Sequence, residues 1–75
     1  MDLAELELFL LINEPVFDVG EVQYSVCSPR KGLFCTWDSA GGEHDFDGFE
    51  ALLDGWIIAG KPFRERAEEL RGQYN

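Results

Sequence analysis

Val22, Tyr24 and Val26 alternate with Gln23, Ser25 and Cys27, the period-two pattern of a half-buried β-strand. Leu33, Cys35 and Trp37 alternate with Phe34, Thr36 and Asp38 in a second strand. The segment Ser28-Pro29-Arg30-Lys31-Gly32 is the turn between them, so the two strands form an antiparallel hairpin. Past the turn signal Ser39-Ala40-Gly41-Gly42, residues 43–46 make a third strand, and residues 16–19, closed by Gly20, make a short further one. Elsewhere the rhythm is helical. Asp2 and Glu5 have capping-box spacing, and Leu3, Leu6, Leu10 and Ile12 follow. They predict a helix over residues 3–13 that stops before Pro15. The apolar run is dense enough that a strand over residues 7–12 remains an alternative. Asp47 and Glu50 repeat the capping-box spacing, and Phe49, Leu52, Leu53 and Trp56 follow at i, i+3, i+4 and i+7. Pro62 suits the first position of a last helix, with Phe63, Ala67 and Leu70 on one face and Arg64 and Glu68 on the other. The expected fold is α+β: a small antiparallel β-sheet of three or four strands, packed with an N-terminal helix and two C-terminal helices.

Register decides which side chains share a face. A three-residue hairpin loop sets Cys27 opposite Cys35 but separates Tyr24 and Val26 from Leu33 and Trp37. A two- or four-residue loop pairs Val26 with Cys35 and Tyr24 with Trp37, gathering the apolar side chains together. The second register is the expectation, with Cys35 buried, Cys27 outward and no disulfide. The same logic places Phe46 beside Cys35 and His44 inward beside Trp37. It sets Asp38 opposite Glu43 and leaves Glu43, Asp45 and Phe34 on the outer face.

A chain of 75 residues makes one domain, because at this size only about 60% of the unfolded surface is buried and a second core cannot form. Hydrophobic residues at 45% and aromatics at 13% exclude a disordered composition. Charge is the unusual feature: fifteen Asp and Glu against six Lys and Arg, a net charge of -9. No Lys or Arg occurs in residues 1–29 or 32–60. Such a field repels nucleic acid and anionic membrane and attracts basic partners, although acidity also serves solubility. The expected partner is a basic protein, with no direct nucleic-acid binding and no membrane. The longest apolar run falls far short of the roughly 20 residues of a membrane span. Two cysteines are too few for a disulfide-stapled secreted scaffold, and the start at Met1-Asp2 lacks the basic character of a secretory signal. The expected compartment is the cytoplasm, with reduced thiols.

Material for catalysis is thin. The single histidine, His44, reads as structural, and the intervals between Cys27, Cys35 and His44 match no common zinc spacing. Gly41-Gly42 is a turn between strands and not a phosphate loop. Glu43, Asp45 and Asp47 alternate along a strand at about 6.6 Å intervals, too open for the convergent oxygen shell of Ca²⁺ or Mg²⁺. No metal, cofactor or catalytic residue is assigned. What remains is an acidic face of Asp38, Glu43 and Asp45, with Asp54 nearby and Phe34 as an aromatic anchor. To imitate the phosphates of a DNA strand, spaced by roughly 3.4 Å, that row needs help from Asp2, Glu5, Glu14 or Glu21.

The pattern Tyr24-x-Val26, Phe34-x-Thr36-Trp37, Phe46-Asp47-x-Phe49-Glu50-x-Leu52-Leu53 and Gly60-Lys61-Pro62-Phe63 resembles small acidic proteins of bacteriophages and mobile elements. Proteins of that kind include inhibitors of host defence, such as anti-CRISPR and anti-restriction proteins. The resemblance implies a non-enzymatic inhibitor, working in the host-cell cytoplasm, that covers the basic nucleic-acid-binding surface of a nuclease or CRISPR effector. An immunity or antitoxin protein against a basic toxin would use the same physics. A different expectation is a structural or assembly protein that forms a homodimer or larger homo-oligomer through a strand edge at residues 43–46 or 16–19.

Overall fold

The computed structural model describes residues 2–74, with the side chains at 71, 72 and 74 outside that description. The elements run α1 (Leu3–Ile12), β1 (Val16–Val19), β2 (Val22–Arg30), β3 (Leu33–Asp38), β4 (Glu43–Asp47), α2 (Phe49–Gly55), β5 (Ile57–Ile58), β6 (Lys61–Pro62) and α3 (Phe63–Tyr74). Strands β1 to β4 form one antiparallel sheet in chain order, and β5 and β6 form a separate small hairpin. The fold is α+β, with the N-terminal helix and two C-terminal helices read from the sequence.

Residues 3–12 are helical, so the strand alternative for that segment is set aside. Asp2 caps α1 by accepting from the Glu5 N–H at 2.9 Å while the Glu5 side chain returns to the Asp2 N–H, and Asn13 ends the helix. The second capping box does not form. Gly48, at φ 110°, is the N-cap of α2, and no side chain caps the helix. Only glycine adopts that backbone angle readily, so the cap falls one residue later than Asp47. Pro62 belongs to β6, and α3 begins at Phe63. The β5–β6 turn is braced by Arg66, which donates to the carbonyls of Ile58 and Ala59, both at 2.8 Å.

The register differs from expectation. A two-residue turn at Lys31-Gly32 does connect Arg30 to Leu33, but the pairing shifts by one residue between Cys27 and Arg30. The bulge contains Pro29, which has no N–H for the ladder. Beyond it Cys27 faces Cys35, Val26 faces Thr36 and Ser25 faces Trp37. On the next strand Phe34 faces Phe46, Cys35 faces Asp45, Thr36 faces His44 and Trp37 faces Glu43. A shift of one residue turns every β3 side chain to the opposite face. Phe34 therefore points inward and is 0% exposed, stacked at a tilt on Phe49 with ring centroids 5.9 Å apart. Trp37 points outward.

One core lies on the inner side of the sheet. Phe17, Tyr24, Val26 and Phe34 meet Leu6 and Leu10 of α1, Leu52 and Leu53 of α2, and Phe63, Ala67 and Leu70 of α3. Trp56 joins them against Phe63, with ring centroids 4.9 Å apart. Thr36 is the one buried polar residue among those described, and its hydroxyl donates to the His44 carbonyl at 2.9 Å. All three helices pack on this side, so the other face of the sheet has no covering layer.

The two faces predict opposite responses to truncation. Phe34→Ala is expected to cost about 3–5 kcal/mol by opening a cavity in a small core. Trp37→Ala, on the uncovered face, is expected to cost less than about 1 kcal/mol. Urea unfolding of both variants measures the difference, and comparable losses would contradict the register.

Candidate functional site

Two rows of side chains cross the uncovered face. In one, Val16, Ser25, Trp37 and Glu43 lie side by side on β1 to β4. In the other, Cys27, Cys35 and Asp45 lie on β2 to β4, and Glu14, just before β1, falls beside Cys27 if the β1–β2 register is continued. These rows line an open groove of about 510 Å³ that includes Glu14, Glu43 and Asp45. Trp37 is 45% exposed within it and Val16 is also exposed. An indole offers a broad apolar face with a polar N–H, and carboxylates around it leave that face open to a cationic group.

The five residues selected from sequence are not brought together. Glu43 and Asp45 stand on the uncovered face as expected. Phe34 is in the core and contributes nothing to the surface. Asp38 pairs with Tyr24, on the inner side of the sheet, and its carboxylate accepts from the N–H groups of Ala40 at 2.9 Å and Gly42 at 3.0 Å. It shapes the β3–β4 turn. A Cβ on Gly42 would lie 2.2 Å from that carboxylate, which is why the turn takes glycine there. Asp54 sits on α2, where Arg64 donates to both of its oxygens at 2.7 and 3.2 Å and also meets Glu50. The guanidinium holds the Asp54 carboxyl below the usual carboxylate range. Arg64 thus ties α3 to α2.

His44 is exposed at the edge of the sheet. It is paired with Thr36, and its ring lies 6.3 Å from that of Phe46. It keeps the inner side of the sheet but not the neighbour expected, because the shifted register sets Glu43 opposite Trp37 and Thr36 opposite His44. Trp37 is the residue that sequence reasoning missed, whereas Glu14, named there as a supplement to the acidic row, does line the groove. Pro29, read from the sequence as part of the turn, was the available signal, since β2 runs through it to Arg30, and a proline within a ladder marks a bulge that exchanges the faces of the residues beyond it.

The cysteines are free and stand opposite one another. The Cys35 thiol is pushed up to about 11, first by its hydrogen bond with the Asp45 carboxylate, then by burial and by the Asp45 charge, with Cys27 adding to both effects. This is the reverse of an activated thiol, whose pKa is lowered by positive surroundings. Among the described residues, no group of three or more His, Cys, Asp or Glu is placed to hold a metal ion, and no helix is long and apolar enough to cross a membrane. Comparison with protein-family models, with curated proteins and with solved structures finds no match.

The thiol chemistry is directly testable. At pH 8 Cys35 is expected to react with iodoacetamide roughly a hundredfold more slowly than a thiol at the ordinary value of 9.0, and to accelerate only as the pH approaches 11. Asp45→Asn should move that rise to lower pH. The linked effect on folding has a fixed sign. A thiol whose pKa is raised on folding contributes stability below pH 9, and that contribution is lost as the pH climbs toward 11. Peptide mass spectrometry of timed alkylation checks the rates, and equal reactivity of Cys35 in the two proteins would remove Asp45 as the cause.

Proposed function

We propose that the protein is a non-enzymatic binding protein whose uncovered sheet face occupies a basic surface on another protein. In the fullest form of the proposal, that surface is the nucleic-acid-binding surface of a nuclease or CRISPR effector, and the protein acts as its inhibitor. The observation that carries the reading is Trp37, a half-exposed indole in a groove lined by Glu14, Glu43 and Asp45. Exposed aromatic side chains within a polar rim are the usual energetic centres of interfaces.

The placement of the cations supports it. Arg64 is engaged by Glu50 and Asp54, and Arg66 by Glu69 and two backbone carbonyls. Arg30 and Lys31 lie at the β2–β3 turn, and Lys61 lies on the separate β5–β6 hairpin. Among the described residues that line the groove there is no lysine or arginine, so its field is negative. Such a field accelerates encounter with a basic partner and weakens as salt rises.

The test is retention of basic proteins from a low-salt extract by immobilised wild type, Trp37→Ala and the double variant Glu43→Gln/Asp45→Asn. Trp37→Ala is expected to lower affinity for a retained partner by about 30-fold, the scale of one interface hot spot. The double variant should slow association and flatten its dependence on salt. A partner that both variants hold as tightly as wild type does would sink the reading.

A further inference from the structure

The sheet has two edges, and they are finished differently. At β1, Asp18 presents its N–H and C=O away from β2, and Gln73 of α3 takes both, accepting at 2.7 Å and donating at 3.1 Å. A side-chain amide there stands in for a neighbouring strand. At β4 the orientation of the backbone is set by two bonds at the ends of the ladder. The Gly48 N–H donates to the Gly32 carbonyl, and the Asp38 N–H donates to the Gly42 carbonyl. With the observed register, these bonds make Phe34–Phe46 and Thr36–His44 the hydrogen-bonded pairs. His44 and Phe46 therefore turn their backbone groups toward β3, while Glu43, Asp45 and Asp47 turn theirs to the open side. Among the described residues, no hydrogen bond meets those outward groups, and all three residues are exposed.

The side chains of Glu43 and Asp45 lie on the uncovered face, and strand alternation puts Asp47 there too. The residues that offer free backbone groups are thus the residues that carry the carboxylates. We propose that β4 is a strand-addition site: the partner adds an extended segment to the Glu43–Asp47 edge, with Lys or Arg at every second position. This deepens the reading of the uncovered face and rests on it. The added strand would hydrogen-bond to the backbones of Glu43, Asp45 and Asp47. Its residues directly opposite them would share their face, with Cβ atoms about 5.5 Å away and repeating at about 6.6 Å. Alternating positive charge matches that row, and the intervening side chains fall on the side of His44 and Phe46. A second copy of this chain is the wrong occupant, because β4 against β4 stacks carboxylate on carboxylate.

Proline at position 45 removes the outward N–H of β4 and leaves its bonds to β3 in place, since residue 45 gives none to β3. Asp45→Asn removes the same charge and keeps the N–H, so the pair isolates the backbone bond. The probe is a short synthetic peptide with lysine alternating with threonine, set against one of the same composition with its lysines in a block. Affinity is measured by titration, and amide exchange of the wild-type protein is followed by NMR. The alternating peptide is expected to bind more tightly than the block peptide and to slow exchange at Glu43, Asp45 and Asp47. Asp45→Pro should bind it about tenfold more weakly than Asp45→Asn, the scale of one lost hydrogen bond. Equal affinities for the two variants, or no protection at the three amides in wild type, overturn strand addition. Protection that grows with protein concentration and without peptide also overturns it, in favour of a second copy. If proline disrupts β4, the wild-type exchange pattern alone decides. A Trp37 fluorescence response without edge protection ends this proposal but leaves the binding face standing, and Trp56, 3% exposed, supplies the unresponsive background. The loss of both signals removes the underlying reading as well.

Discussion

A one-residue bulge between Cys27 and Arg30 determines what this protein shows to its surroundings. Side chains alternate strictly along a strand, so adding one residue to β2 reverses which face of β3 meets the helices. With the bulge, Phe34 enters the core beside Phe49 and Trp37 emerges between Ser25 and Glu43. Without it, Leu33, Cys35 and Trp37 would face the helices, and Phe34 would be left outside with Thr36. The observed choice buries a phenyl ring completely, with one threonine whose hydroxyl is satisfied, and leaves an indole half in water. Indole tolerates such a position better than phenyl does, because its N–H keeps a partner in solvent.

Elements were legible wherever a local signal was sufficient. The capping box at Asp2, the alternation from Val22 to Val26 and the Phe49, Leu52, Leu53 period each specify their element from neighbouring residues alone. Register is a different kind of information, since it depends on a pairing between strands that sequence constrains only through turn and bulge. Gathering the most apolar side chains on one face failed because β3 carries large apolar groups on both faces. The site inherited the error: Phe34 was placed on the wrong side, Trp37 was hidden, and His44 kept its side but lies exposed opposite Thr36, while Glu43 and Asp45 reached the face where they were expected. Asp38 and Asp54 stand apart from the groove for another reason. Each carboxylate has a short-range partner, a turn backbone for one and Arg64 for the other, and a count of acidic residues does not distinguish those in use from those that are free.

The cations complete the separation of charge. Arg64 and Arg66 lie on α3 and are used inside the fold, one joining two helices and the other holding the carbonyls of a tight turn. Exposed ion pairs of this type add little to stability. Their larger effect is on the field, because these two charges are held on the helical side, away from the groove of the uncovered face. The raised thiol of Cys35 is one local consequence: beside Asp45 a thiolate would add a second negative charge to a partly buried row.

Acidity by itself would be accounted for by solubility, and the carboxylates of β4 also discourage one sheet edge from pairing with another copy. Neither role calls for Trp37. A solvated sheet face that must only stay soluble is best served by threonine, lysine or glutamate in the centre of its groove, and an exposed indole there works against that end. Carboxylates and a partly exposed aromatic ring together suit what we propose for this face, the recognition of a cationic group carried on a polypeptide. The contrast between the edges points the same way. Gln73 closes β1 by supplying both bonds that a strand would make. At β4, among the described residues, the outward backbone stays open and carries carboxylates, and on the proposed reading that charge would exclude acidic strands and admit basic ones.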